Sequence, residues 1–302
     1  MGRKLIQHGL SSLTMSLPAK WVERHGLKKG DEVEVSDLGE KIVVATQKQP
    51  EHRAVAVDIS GADPMIRKIL GATYKCGYDE ANVTFATPEE LKAAQDVVRE
   101  QFIGFEIVGQ SRSVLHIEDV AGKGSIEFGN CLRRFFVVLN EMAQSTLDAA
   151  RKSDFNWLKT TATMKIETDK FADFCRRAIN QDRPTKFKRT APLYVIVEQL
   201  EKVADTYRDM CAHIAQNELR LSKPLLELLQ ELVEFQKSFY ELFYKFDIKR
   251  VVELGKAKQQ LDRDFDKTEQ AVTKKETKVL RYLDRVQTML FNLNGPLMAV
   301  WL

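Results

Sequence analysis

The spacing of apolar and polar positions changes twice along the chain, and the changes mark off three stretches. Between residues 4 and 46 the pattern is short and β-like: KLIQHG and SLTMSLP, a brief helical AKWVERHG, then DEVEVSD and KIVVAT around a turn at Leu38 and Gly39. Runs of about five residues bounded by Gly, Pro and Asp fit hairpins. The polar residues 47–52, with Pro50 among them, read as a linker.

A second stretch, 53–122, alternates strand and helix. AVAVDIS predicts a strand, and DPMIRKILGATYKCG a helix with Asp63 as its cap and Pro64 at its first position. ANVTFA follows as a strand, TPEELKAAQDVVREQF as a helix opened by Thr87 and Pro88, and FEIVGQSRSVLHIEDV as two strands around a turn. The order βαβαββ implies a small sandwich of one sheet against two helices. Its most distinctive local feature is the turn Tyr74-Lys75-Cys76-Gly77-Tyr78.

From residue 129 to the end, glycines thin out and apolar residues recur at spacings of three and four, with Pro184, Pro192 and Pro224 as punctuation. Helices are expected over 129–153, 154–180, 191–218, 224–246, 247–272 and 275–299, long enough for an antiparallel bundle. Phe235, Phe239, Phe243 and Phe246 share a helical face and belong to its core.

At 302 residues the chain has room for two or three domains. No apolar run reaches the roughly 18 to 20 residues of a membrane span, and Met1 to Lys4 lacks a signal-peptide core, so a cytoplasmic protein without membrane insertion is expected. Cys76, Cys131, Cys175 and Cys211 are too scattered for a zinc ribbon or a redox pair and read as buried free thiols. A net charge of +3 does not by itself announce a nucleic-acid partner, because phosphate affinity comes from clustered Lys and Arg. Neither a Gly-rich phosphate loop, a Gly-x-Ser-x-Gly elbow nor a His-Glu-x-x-His motif occurs, and the chain is not expected to be an enzyme.

The first 48 residues pose a physical problem, since a β-rich segment of that size buries too little surface to stand alone without disulfides, metal or a partner chain. A homodimer answers it. The segment GRKLIQHGLSSLTMSLPAKWVERHGLKKGDEVEV resembles the AbrB/MazE/SpoVT swapped-hairpin domain: a basic first strand, a Gly-x-Ser-Ser turn, a Leu-Pro-x-x-Trp helix start and the step Gly26-Leu27-Lys28-Lys29-Gly30-Asp31-Glu32-Val33. The resemblance implies an interleaved two-chain barrel with Leu5, Leu13, Met15, Leu17, Val33, Val35, Ile42 and Val44 inside, and sharp re-entries at Gly26 and Gly30. It also implies double-stranded DNA as partner, met by Arg3, Lys4, Gln7, His8, Ser11, Ser12 and Thr14. Arg3 and Lys4 suit phosphates, and the short polar side chains suit hydrogen bonds to phosphate or base edges. Read alone, Arg3 and Lys4 are equally a solvated arm, and His8 and His25 are surface or capping residues rather than metal ligands.

The helical stretch resembles the PhoU family of phosphate-uptake regulators, with one repeat over about 129–220 and a degraded second over about 224–302. The likeness rests on the helix from Leu132 to Ala150, the turn at Lys152-Ser153-Asp154, KIETDKF at Lys165 to Phe171, and LEKVADTYRDM at Leu200 to Met210. Glu201, Asp205 and Asp209 stand four apart on one helical face. The resemblance makes them ligands of an iron, zinc or manganese site; Glu167, Asp169 and Asp173 on the preceding helix can face the same groove, but the resemblance places the ligands mainly in the later motif. The competing reading is a solvated charge face held by Lys202 and Arg208. In the second repeat YLDRVQTML carries Asp284 and Thr288 where the pattern has Glu and Asp, which argues against a symmetric second site. Asp262, Asp264, Asp266 and Glu269 read as a solvated stripe beside Arg263 and Lys267.

Together these stretches predict an α+β multidomain chain, organised as a dimeric swapped-hairpin β-barrel at 1–48, a βαβαββ sandwich at 53–122 and an antiparallel helical bundle at 129–302. The combination is similar to archaeal PhoU-like proteins with an N-terminal AbrB-type domain. It implies a DNA-binding regulator linked to phosphate uptake, whose bundle senses or relays a signal. Two alternatives stay open: an adaptor that docks on a phosphate-transporter ATPase or sensor kinase without touching DNA, and an antitoxin-like repressor.

Overall fold

The computed structural model describes residues 2–8, 12–37, 42–46, 53–121, 127–181, 187 and 189–302, in two compact units, Met1–His52 and Arg53–Leu302. The turn residues Gly9, Leu10, Ser11, Leu38 and Gly39, the linker 47–52 and Pro184 lie outside the described residues.

In the first unit, β1 (Ile6–His8) and β2 (Ser12–Thr14) pair antiparallel, with Gln7 opposite Leu13. Helix α1 (Ala19–Arg24) follows Pro18, and Gly26 and Gly30, at φ of 56° and 98°, re-aim the chain from the helix into β3 (Val33–Asp37). Such angles cost a glycine little and a side chain much. Strand β3 pairs with β4 (Ile42–Thr46), Val35 opposite Val44. The two hairpins are separate two-stranded sheets, so a single chain forms no closed barrel among the described residues. None of the described residues of this unit is buried, and Leu5, Leu13, Val35 and Ile42 are each about 60–67% exposed.

The second unit opens with β5 (Ala54–Asp58), α2 (Ile66–Lys75), β6 (Glu80–Thr84), α3 (Pro88–Gln101), β7 (Phe105–Gln110) and β8 (Val114–Asp119). The sheet order is β5-β6-β8-β7, parallel between β5 and β6 and antiparallel elsewhere. Strand β6 alternates between a buried face carrying Ala81 and Val83 and a half-buried face carrying Glu80, Asn82 and Thr84. Ala81, Val83, Leu115 and Ile117 meet Leu70, Tyr74, Ala94 and Val98 of the two helices in one core. Thr87 and Glu90 close a capping box at the start of α3. Helix α2 starts at Ile66, two residues later than expected, and Met65 rather than Asp63 stands at its N-cap without a side-chain bond.

The bundle comprises α4 (Phe128–Lys152), α5 (Phe155–Thr163), α6 (Lys165–Asn180), α7 (Thr190–Gln216), α8 (Lys223–Tyr244), α9 (Ile248–Ala271), α10 (Thr277–Asn292) and α11 (Asn294–Trp301). Two expected helices are each divided. Around Met164 the hydroxyls of Thr160, Thr161 and Thr163 bond to the carbonyls of Asn156, Trp157 and Thr160, the back-bonding that weakens a helix and separates α5 from α6. At Leu293 the sequence Asn294-Gly295-Pro296 ends α10, and Asn294 donates to the Phe291 carbonyl at 2.9 Å. Helix α7 packs against α4, α5, α6, α10 and α11 and forms the axis of the core. Phe235, Phe239 and Phe243 are buried and Phe246 is half-buried beside them. Helices α2 and α3 of the sandwich pack on α6 of the bundle.

Candidate functional site

On the first hairpin, strand alternation puts Ile6, His8, Ser12 and Thr14 on one face and Gln7 and Leu13 on the other. Arg3, Lys4, Gln7, His8, Ser12 and Thr14 are all exposed, and Ser11 lies outside the described residues. The expected DNA-reading residues therefore divide between two faces, with Gln7 apart from the short polar set. Thr14 spends its hydroxyl proton on the Ile6 carbonyl at 3.2 Å and keeps acceptor capacity for a partner.

On the bundle, the three expected ligands behave differently from one another. Glu201 bonds to the Arg176 guanidinium at 2.5 Å and lies 3.8 Å from the Lys165 ammonium. Asp205 is 3.3 Å from Lys165, 3.5 Å from Lys202 and 3.0 Å from Arg208. Asp209 turns outward to Arg208 at 2.8 Å. The structure thus joins Glu201 and Asp205 through the buried Lys165, and Asp205 and Asp209 through the more exposed Arg208. Of the flanking acids, Asp169 pairs closely with Lys165, Asp173 meets Arg176 at 2.9 Å and Lys75 at 3.4 Å, and exposed Glu167 pairs with Lys170. Among the described residues no group of three or more His, Cys, Asp or Glu is placed to hold a metal ion. The ligand set does not fit a resident metal, because each carboxylate that would bind it already faces a cation.

Burial governs the protonation of this face. It pushes the carboxyls of Asp169 and Asp173 above their ordinary value, against the pull of Lys165 on the first and of Lys75 and Arg176 on the second. Glu201 is also pushed up by burial, but Arg176, Lys165 and Lys202 together outweigh that and hold it below its ordinary value. Of these cations Lys202 belongs to the competing reading of the sequence, whereas Lys165 and Arg176, on another helix, do not show in it. Arg176 and Arg177 sit inside the apolar arc of α6, between Ala172, Cys175, Ala178 and Ile179, and that position was the available signal.

Arg177 is 1% exposed and enters the sandwich. It donates to the carbonyls of Tyr74 at 3.1 Å and Tyr78 at 2.5 Å and to Asp119 Oδ2 at 3.1 Å, and its guanidinium lies 4.6 Å from the Phe105 ring centre. Asn180 donates to the Lys75 carbonyl, and Gln181 to the Gly77 carbonyl and Asp79. Gly77 has φ of 85°, and a Cβ there would fall 2.7 Å from the Gln181 side chain. The turn from Tyr74 to Tyr78 is therefore where the sandwich is fastened to the bundle.

Cys131, Cys175 and Cys211 are buried as expected, whereas Cys76, at the end of α2, is exposed. Burial pushes the Cys211 thiol up to about 12. It is not a reactive thiol. No helix of the described residues is long and apolar enough to cross a membrane.

Residues 10–52 match the family model of MazE, described as antidote-toxin recognition, bacterial antitoxin. The match covers the first unit from the hairpin turn to the linker. Among solved structures, a PhoU-like protein from Shewanella oneidensis MR-1 is similar at a TM-score of 0.37 and 11% identity, over 57% of this chain and 96% of that one. That likeness is too slight to define the fold. No curated protein matches the chain.

Proposed function

We propose that the chain is a homodimeric, non-catalytic DNA-binding transcriptional regulator, linked to phosphate uptake, in which the helical unit senses or relays the signal. The observation that carries the reading is the first unit: a MazE-type segment with no buried residue among those described, carrying an apolar face and the basic residues Arg3 and Lys4 just before its first strand. An apolar face of this kind in so short a segment is stable only when covered, and a second copy of the same segment covers it with matching alternation. In such a dimer Arg3 and Lys4 from each copy would supply four cations for a duplex.

The phosphate link rests on the sequence likeness of LEKVADTYRDM to the phosphate-uptake regulators. The ion pairs give the helical unit a physical means of relay. From Lys75 on α2 they run through Asp173 and Arg176 on α6 to Glu201 on α7, so the sandwich and the bundle share one partly buried charge network. Nuclease protection on genomic fragments tests the reading. The regulator gives a footprint with two-fold symmetry, at half-sites about one helical turn or a multiple of it apart. An adaptor gives none at any phosphate concentration.

A further inference from the structure

We infer that the bundle fills its own cation position: the Lys165 ammonium sits among Asp169, Glu201 and Asp205, in the carboxylate nest where the family resemblance places a metal ion. The inference is independent of whether the first unit binds DNA.

The first nest is built for an ammonium. Lys165 is 5% exposed, pairs closely with Asp169 of its own helix, and lies 3.3 Å from Asp205 and 3.8 Å from Glu201 of α7. An ammonium has three N–H donors and meets three carboxylates here. A metal ion would need those oxygens at about 2.0–2.6 Å with their lone pairs free. It would also lie against a buried like charge, with the Arg176 guanidinium already on Glu201 and Arg208 on Asp205.

The second half carries a related but more open pair, with the Asp262 side chain 49% exposed. Helix α6 carries Lys165 and Asp169 four apart, and α9 carries Lys258 and Asp262 four apart, each pair in contact. The facing helices carry similar steps, Leu200-Glu201-Lys202-Val203 within α7 and Leu283-Asp284-Arg285-Val286 within α10. Helix α6 packs on α7 as α10 packs on α9. There the Gln287 amide, 2% exposed, donates to Asp262 at 3.3 Å and to Asp284 at 3.1 Å, where the first half has the Lys165 ammonium between its carboxylates.

The test uses the full chain, loaded with Mn²⁺, Zn²⁺ or Fe²⁺, desalted, and assayed for metal content by mass spectrometry and for Tm with and without Mn²⁺. Wild type is expected to keep only substoichiometric metal and to show the same Tm in both conditions. Lys165→Ala is expected to melt earlier and to recover part of the loss with Mn²⁺, and Asp169→Asn added to it abolishes the recovery. Lys165→Gln keeps the stem and serves in the same way where the alanine variant does not fold. Wild-type protein that retains stoichiometric metal and releases it in Glu201→Gln overturns the inference. So does a folded Lys165 variant that melts with wild type and ignores Mn²⁺.

Discussion

Arg177 of α6 and Asp119 at the end of β8 meet at 3.1 Å inside a contact that leaves the arginine 1% exposed, and with the Tyr74 and Tyr78 carbonyls they fasten the sandwich to the bundle. Removing one side of such a buried pair leaves the other charge uncompensated. Arg177→Ala is expected to destabilise the second unit by about 3–5 kcal/mol. Arg177→Lys is not expected to rescue it, because an ammonium lacks the planar fork that reaches two carbonyls and a carboxylate together. Denaturant unfolding of the three proteins checks both statements, and Arg177→Ala within about 1 kcal/mol of wild type, the range of an exposed ion pair, would refute the joint.

Glu90 provides a pH test with a defined sign. The backbone N–H groups of Ala86, at 2.8 Å, and Gly61, at 2.6 Å, hold its carboxyl below the ordinary 4.5, with Thr87 adding to them. A lowered folded value means that the stabilisation is complete above the ordinary value and is lost as pH falls through the depressed one. Glu90→Gln should therefore lose stability at neutral pH and lose less than wild type on acidification. Asp169 and Asp173 act in the opposite sense, since burial raises them and the folded state takes up their protons first. Thermal unfolding of wild type and Glu90→Gln between neutral pH and about pH 3 separates the contributions, the lower limit lying beneath the usual carboxylate range.

Much of the fold was legible because it rests on periodicity. The strands of the sandwich, the long helices α4, α7, α8 and α9, and the phenylalanine stripe all follow from spacing. The break between α5 and α6 was not, because Thr160, Thr161 and Thr163 interrupt a helix without the Gly or Pro that would mark it. The break at Leu293 was signalled by Asn294-Gly295-Pro296 and passed over because the apolar spacing continues through it. The candidate site was half legible. Acids four apart on α7 were evident, but their partners Lys165 and Arg176 come from another helix, and a linear pattern does not show which cation folds back onto which carboxylate.

The apolar face of the first unit yields a separate expectation. Leu13 is 64% exposed in one chain, and a second copy would cover it. Leu13→Asp should convert a dimer to a monomer while leaving the helical unit folded, since the second unit has its own cores. Light scattering with circular dichroism reads both properties. A Leu13→Asp protein that remains dimeric removes the two-chain hairpin arrangement.

The most direct test of the regulator reading is binding to genomic DNA fragments across a salt series, with wild type beside the double variant Arg3→Ala/Lys4→Ala. Four cations per dimer are removed, so the slope of log K against log salt should become shallower by up to about 3.6, at roughly 0.9 per phosphate contact, with weaker binding at every salt concentration. Wild-type protein that ignores DNA at low salt, or a variant that binds with an unchanged slope, would contradict the reading.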